Sequence, residues 1–150
     1  MKLFRLTKDG LVRRLRWLMV GVILSDTIST LLGQPASYWR HPGTAEEHNQ
    51  FIRLFITQGY LPFVAWSLLY IVGAFIAVSI LPRRLALMTL FSFLLGHYFG
   101  ASSWWVYQRG YGVEVAIVYG IVLAVVLVLC GVGGPAANLQ RTSNPNDRST

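Results

Sequence analysis

Charge is scarce in this chain, and acidic charge scarcer than basic. Six Asp and Glu stand against thirteen Lys and Arg in 150 residues, and only 13% of the chain is charged. A soluble domain carries about a quarter of its residues as charges, so that class is excluded. Cysteine is nearly absent too. The single Cys130 excludes an internal disulfide and any cage of thiolates around a metal, and it reads as a small packing residue. Nowhere do polar and apolar residues alternate over short segments, which excludes a membrane β-barrel. There is no internal repeat and no complete catalytic or cofactor motif, so no cofactor is assigned.

What the chain does have is long apolar runs, within a composition that is 54% hydrophobic. Four of them, at about 15–33, 59–81, 85–105 and 113–132, pass the length needed for a membrane helix, about 17–25 residues. With no water in the bilayer to satisfy backbone amides, such runs must be helical. The fold expected is all-α: an integral membrane four-helix bundle over 15–133. A basic, partly amphipathic arm (1–14) precedes it and a Ser-, Asn- and Thr-rich tail (134–150), expected to be disordered, follows.

The basic residues assign the sides. Lys2, Arg5, Lys8, Arg13, Arg14 and Arg16 precede or open the first span. Arg83 and Arg84 sit in the turn between the second and third, and Arg141 and Arg148 in the tail. All fall on one side if the chain crosses four times, leaving Arg40, Arg53 and Arg109 on the other. The positive-inside rule then puts both termini in the cytoplasm of a cell (inner or plasma) membrane. The same pattern makes the net charge of +7 a matter of bilayer contact rather than of nucleic acid. A basic region before an apolar stretch also resembles a secretory signal. Asp26 interrupts the stretch and Gln34-Pro35-Ala36 is a poor cleavage site, so an uncleaved helix is expected.

One long exterior loop, Pro35 to Thr57, joins the first two spans. The spacing of Phe51, Ile52, Phe55 and Ile56 predicts a short helix over 46–56, with Thr44 as its cap and Glu47 completing a capping box. Aromatic residues gather at the exterior boundary: Tyr38, Trp39, Tyr60, Trp104, Trp105, Tyr107 and Tyr111. They read as an interfacial belt. Small residues recur every fourth position, as in Gly21, Ser25 and Ser29 or Ser92, Gly96 and Gly100, and suit close helix packing.

Asp26 lies inside the first apolar run, where a carboxylate costs roughly 2.5–3.5 kcal/mol and must face protein or water. It precedes Gly33 by seven residues, and His97 precedes Trp105 by eight. At 1.5 Å per residue both lie roughly 10–12 Å below the outer helix ends. The same depth takes in Thr30, Ser67 beside Trp66, and Tyr119. A buried polar layer of Asp26, Thr30, Ser67, His97 and Tyr119 is expected. It serves either as a proton, ion or ligand site or as a lock on helix register. His41, Glu47, His48 and His97 are the residues from which a metal site would have to be drawn, though their spacing matches no closed zinc pattern.

Asp26-Thr27-Ile28-Ser29-Thr30, followed across the loop by Glu47-His48-Asn49, resembles a pattern in an uncharacterised family of small prokaryotic four-helix membrane proteins. There an Asp-x-x-Ser/Thr-Thr element in the first helix precedes a Glu-x-Asn-Pro element; here Gln50 takes the place of the proline. The likeness covers about residues 20–100. It implies that the loop folds back over the first helix, bringing His48 or Asn49 toward Asp26, and implies no activity.

Together these features predict a non-enzymatic accessory or scaffold subunit. It would be embedded in the lipid bilayer and associated with other membrane subunits or with itself. The alternatives are a small ion- or proton-coupled transporter using Asp26, and a membrane-embedded metal-dependent hydrolase using Asp26, Glu47 and His97.

Overall fold

A computed structural model describes residues 10–108 and 113–132. Within them the chain is all-helical. Five α-helices follow in order: α1 (Gly10–Gly33), α2 (Gln50–Ile56), α3 (Tyr60–Ile80), α4 (Arg83–Ser103) and α5 (Val113–Val132). A 3-10 turn at Pro42–Thr44 lies before α2, and a π-helical turn at Trp104–Gln108 extends α4. Three helices, α1, α3 and α4 with its extension, are long and apolar enough to cross a membrane, which marks a membrane protein. Their exposed faces are as apolar as their buried ones, with Leu69 and Val72 of α3 and Leu95 and Phe99 of α4 more than half exposed. A helix apolar on all sides suits a hydrocarbon solvent rather than water.

Local chemistry sets the helix boundaries. Pro35 follows the end of α1, where its missing N–H stops the ladder. Gly59 caps α3 at φ +123°, a backbone conformation that favours glycine over residues with a Cβ. Pro62 stands in the first turn of α3, where no donor is required. Leu81 and Pro82 join α3 to α4 in a tight turn, closed by Leu81 N–H donating to Ala77 O (3.3 Å) and Ala86 N–H to Pro82 O (2.9 Å).

Two expected boundaries differ. The first helix starts at Gly10, so residues 10–14 of the basic arm are part of the same helix as the first apolar run. The short helix begins at Gln50, not residue 46, and its cap is Asn49, whose side chain accepts from Phe51 N–H and Ile52 N–H. Thr44 instead donates to His41 O (2.9 Å). Glu47 folds locally, its Oε1 accepting from Asn49 N–H (2.7 Å). An Asx cap next to the helix satisfies its orphan amides directly, leaving nothing for a threonine five residues upstream.

The hydrophobic core is in two parts. Toward the Pro82 turn, Val12, Leu15, Met19 and Val22 of α1 interlock with Val78 of α3 and Ala86, Leu90 and Leu94 of α4. At the opposite end a smaller cluster of Tyr38, Ala45, Ile56 and Phe63 anchors the 34–59 segment. Between these clusters the packing opens.

Candidate functional site

A cavity of about 490 Å³ occupies that opening. Its base is a carboxylate–imidazole–phenol chain. His97 Nδ1–H donates to Asp26 Oδ2 (2.7 Å), and Tyr70 O–H lies 3.3 Å from His97 Nε2. A neutral imidazole satisfies both contacts, donating from Nδ1 and accepting at Nε2. Asp26 and His97 side chains are 19% and 20% exposed, so the pair forms part of the cavity wall rather than a sealed core contact.

Each member is positioned by a different helix. Asp26 stands on α1, Tyr70 on α3 and His97 on α4, and α1 packs most extensively against α4. The close approach of those two helices depends on Gly100. A Cβ there would lie 2.8 Å from both carboxylate oxygens of Asp26. The glycine thus makes the recess in α4 that receives the acid. Beside it, Trp105 Nε1–H donates to Ser29 Oγ (3.0 Å), and the Trp104 ring lies so close to Gly33 that a side chain there would collide with it.

The 34–59 segment roofs the cavity because Gln34 holds it down. The buried Gln34 amide donates to Glu46 O (3.3 Å) and to Thr30 O (3.2 Å), while its Oε1 accepts from Glu46 N–H (2.9 Å). This pairing imitates one rung of a β-ladder and brings Glu47 and Asn49 to the cavity rim. Burial raises the Glu47 carboxyl pKa above its ordinary value. The Asn49 N–H bond opposes that rise and the negative charge of Asp26 adds to it. Phe51 and Trp66 also line the cavity, and Phe55 backs Trp66. Trp66 stacks flat on Phe55 (4.5 Å, 4°) and meets Phe51 edge-on (5.2 Å).

Of the expected polar layer, Asp26, Thr30, Ser67 and His97 all line this cavity. Tyr119 does not. It packs on Tyr98 at the α4–α5 contact (5.4 Å), with its hydroxyl buried and, among the described residues, without a hydrogen-bond partner. Tyr98 in turn donates to Ala116 O (3.0 Å) and crosses so close to Gly120 that a Cβ there would lie 2.9 Å from its hydroxyl. Depth along the axis is shared; the face is not.

His41 and His48 are exposed and outside the cavity wall. Among the described residues, no three His, Cys, Asp or Glu side chains gather closely enough to hold a metal ion. The exterior aromatics also divide. Trp39 and Tyr60 are half exposed, whereas Tyr38 and Trp104 are buried and serve the packing of the 34–59 segment and of α1. The side chains of Tyr107, Tyr111 and Cys130, and the segments 1–9 and 134–150, lie outside the described residues.

Sequence reasoning missed Tyr70 and Gln34. Tyr70 lies one helical turn beyond Ser67 and Trp66 on the same face of α3, a spacing that could have found it. Gln34 gave no signal, since its partners are backbone groups, those of Glu46 twelve residues away. Compared with known proteins, the chain matches no family model, no curated protein and no solved structure. The likeness of Asp26–Thr30 and Glu47–Asn49 to the uncharacterised small membrane proteins rests on those two motifs.

Proposed function

We propose that the chain is a four-span protein of the cell membrane with both termini in the cytoplasm, α5 being its fourth span. It works without catalysis, as an accessory subunit whose exterior-facing cavity receives a small ligand. The observation that carries this reading is the space above the Asp26–His97 pair. A pair retained only to lock helix register is best enclosed by packed side chains, because water weakens it. Here it borders a cavity of about 490 Å³. A buried hydrophobic cluster, with the Arg16–Ser79 contact beside it, lies between that cavity and the Pro82 end, which favours a receptor-like site open on one side. The Lys/Arg distribution supports the orientation. The apolar outer faces of α3, α4 and α5 leave ample surface for lipid or for other membrane subunits.

Two glycines make the test, because a Cβ at either Gly96 or Gly73 meets nothing within 4 Å. Gly96 lines the cavity and Gly73 does not. In a Cys130→Ser background, a membrane-impermeant thiol reagent added outside intact cells should label Gly96→Cys and spare Gly73→Cys. Equal labelling of the two, or none, would overturn the outward-open site. Extraction in gentle detergent should yield an assembly larger than one chain; a monomer alone would refute the accessory role.

A second reading is a proton- or cation-coupled carrier, favoured by the continuous Asp26–His97–Tyr70 chain. In liposomes it requires flux that Asp26→Asn abolishes; no flux, or flux indifferent to that change, removes it.

A further inference from the structure

The cavity wall has a consistent chemical bias. Among the described residues its charged members are Asp26 and Glu47, and no Lys or Arg lines it. Its one imidazole already donates to Asp26. The hydroxyls are biased in the same direction. Thr27 donates to Ile23 O, Ser67 to Phe63 O, Ser92 to Met88 O and Ser103 to Gly100 O, each within its own helix. Tyr70 O–H serves His97 Nε2. With their hydrogens committed, these groups turn lone pairs toward the cavity. These hydroxyls add lone pairs to the negative charge of the two carboxylates, while the Asn49 side-chain amide, the Thr30 hydroxyl and the Trp66 and Trp104 indoles bring N–H and O–H groups to the same wall. An anionic ligand would meet repulsion from both carboxylates there. A ligand carrying donors and positive charge would meet complementary groups.

The apolar part of the wall is mostly aromatic, with Ile23 and Ile52 beside the rings. Trp66 stacks on Phe55 and meets Phe51 edge-on, the three rings in mutual contact, and Phe93 and Tyr70 flank His97. Aromatic faces attract cations, the more so when desolvated, and Trp does so best. Resting on the reading of this cavity as a ligand site, we infer that its ligand is an ammonium group joined to an apolar body. The ammonium sits between Asp26 and Glu47 and the apolar body lies against Trp66. Two sources share that chemistry: a free amphipathic amine, or the ammonium headgroup of a phospholipid in the outer leaflet.

The test uses the full chain in nanodiscs of phosphatidylglycerol, which has no ammonium headgroup, with empty discs as the blank. Calorimetric titration with benzylammonium should show saturable binding, and phenylmethanesulfonate, an anion of similar shape, should show none. Glu47→Gln, a change in the loop that leaves the Asp26–His97 contact intact, should weaken binding about tenfold, equivalent to about 1.4 kcal/mol. Asp26→Asn and Trp66→Leu should weaken it further. Repeating the titration in discs containing phosphatidylethanolamine separates the sources. A several-fold loss of apparent affinity identifies the lipid headgroup as occupant, and an unchanged affinity identifies a free amine. The inference is overturned if no saturable signal exceeds that of empty discs, if the sulfonate binds as well, or if Glu47→Gln and Asp26→Asn both leave affinity unchanged. Labelling of Gly96→Cys in the same discs keeps the two readings apart. A reachable cavity that ignores the cation refutes the ammonium ligand and leaves the ligand site standing.

Discussion

Replacing Gly100 by alanine probes how the acid is accommodated. The added Cβ would sit 2.8 Å from Asp26 Oδ1 and Oδ2 and 3.0 Å from Cγ. An aspartate side chain is too short to swing clear without leaving its partner, so either α1 and α4 separate or Asp26 moves away from His97 Nδ1. Overpacking of this kind costs about 1–3 kcal/mol. A lost charge-assisted hydrogen bond adds a comparable amount, about 1.5–3 kcal/mol. The control is Gly96→Ala, one turn away on the same helix, where the new methyl meets nothing within 4 Å. There alanine should be neutral or stabilising by up to about 1 kcal/mol through helix propensity. Equilibrium unfolding in mixed micelles of dodecyl maltoside and sodium dodecyl sulfate gives both free energies. Gly100→Ala should fall at least about 2 kcal/mol below Gly96→Ala. Its imidazole nitrogen resonances should also shift as His97 loses the carboxylate. Equal stabilities, with an unshifted imidazole, would refute the claim that Gly100 makes the recess for Asp26.

Other perturbations address the remaining contacts. Gln34→Ala leaves Glu46 N–H and O without their partners, so amide exchange across 44–49 should accelerate while the core of α1 stays protected; unchanged exchange would deny the clamp. Glu47 has a raised pKa in the fold, so its charged form is disfavoured there relative to the unfolded chain. The fold therefore binds the proton more tightly, and stability falls as pH rises from the ordinary glutamate range through the raised folded value. Glu47→Gln should remove that decline, so its gain in thermal midpoint over wild type should grow from pH 4 to pH 7, and a gain that shrinks over this interval would contradict the sign. A double-mutant cycle of Asp26→Asn and His97→Gln should return a coupling of about 1–3 kcal/mol in the same micelles; additivity would mean that the 2.7 Å contact contributes nothing. Gly33→Ala, which drives a methyl into the Trp104 ring, should destabilise by about 1–3 kcal/mol, and a neutral result would place Trp104 elsewhere.

Much of the architecture was readable in advance because it depends on quantities that run along the chain. Apolar length gives the helices, Pro35 and Pro82 mark their ends, and rise per residue puts Asp26 and His97 at one depth. Glu47 and Asn49 were candidates from their place in the loop. The start of α2 was misplaced because two capping arrangements competed. The nearer one, an Asn49 side chain bonded to Phe51 N–H and Ile52 N–H, prevails over a box reaching back to Thr44.

By itself the sequence determined that this is a helical membrane protein with one costly acid at a definable depth. Sequence periodicity, blurred here by helices apolar on every face, says little about rotation about the helix axis. Only the tertiary structure decided that Asp26, His97 and Tyr70 face one another while Tyr119, at the same depth, turns to Tyr98. Only it showed that Gly100 is hollowed for a carboxylate whereas Gly96, one turn away, lines open space. The Gln34 pairing with Glu46 that roofs the cavity is likewise a contact between segments. The physical reason is the same in each case. Depth follows from counting residues, whereas facing follows from how side chains of different helices fit, and that fit exists only once the helices have packed.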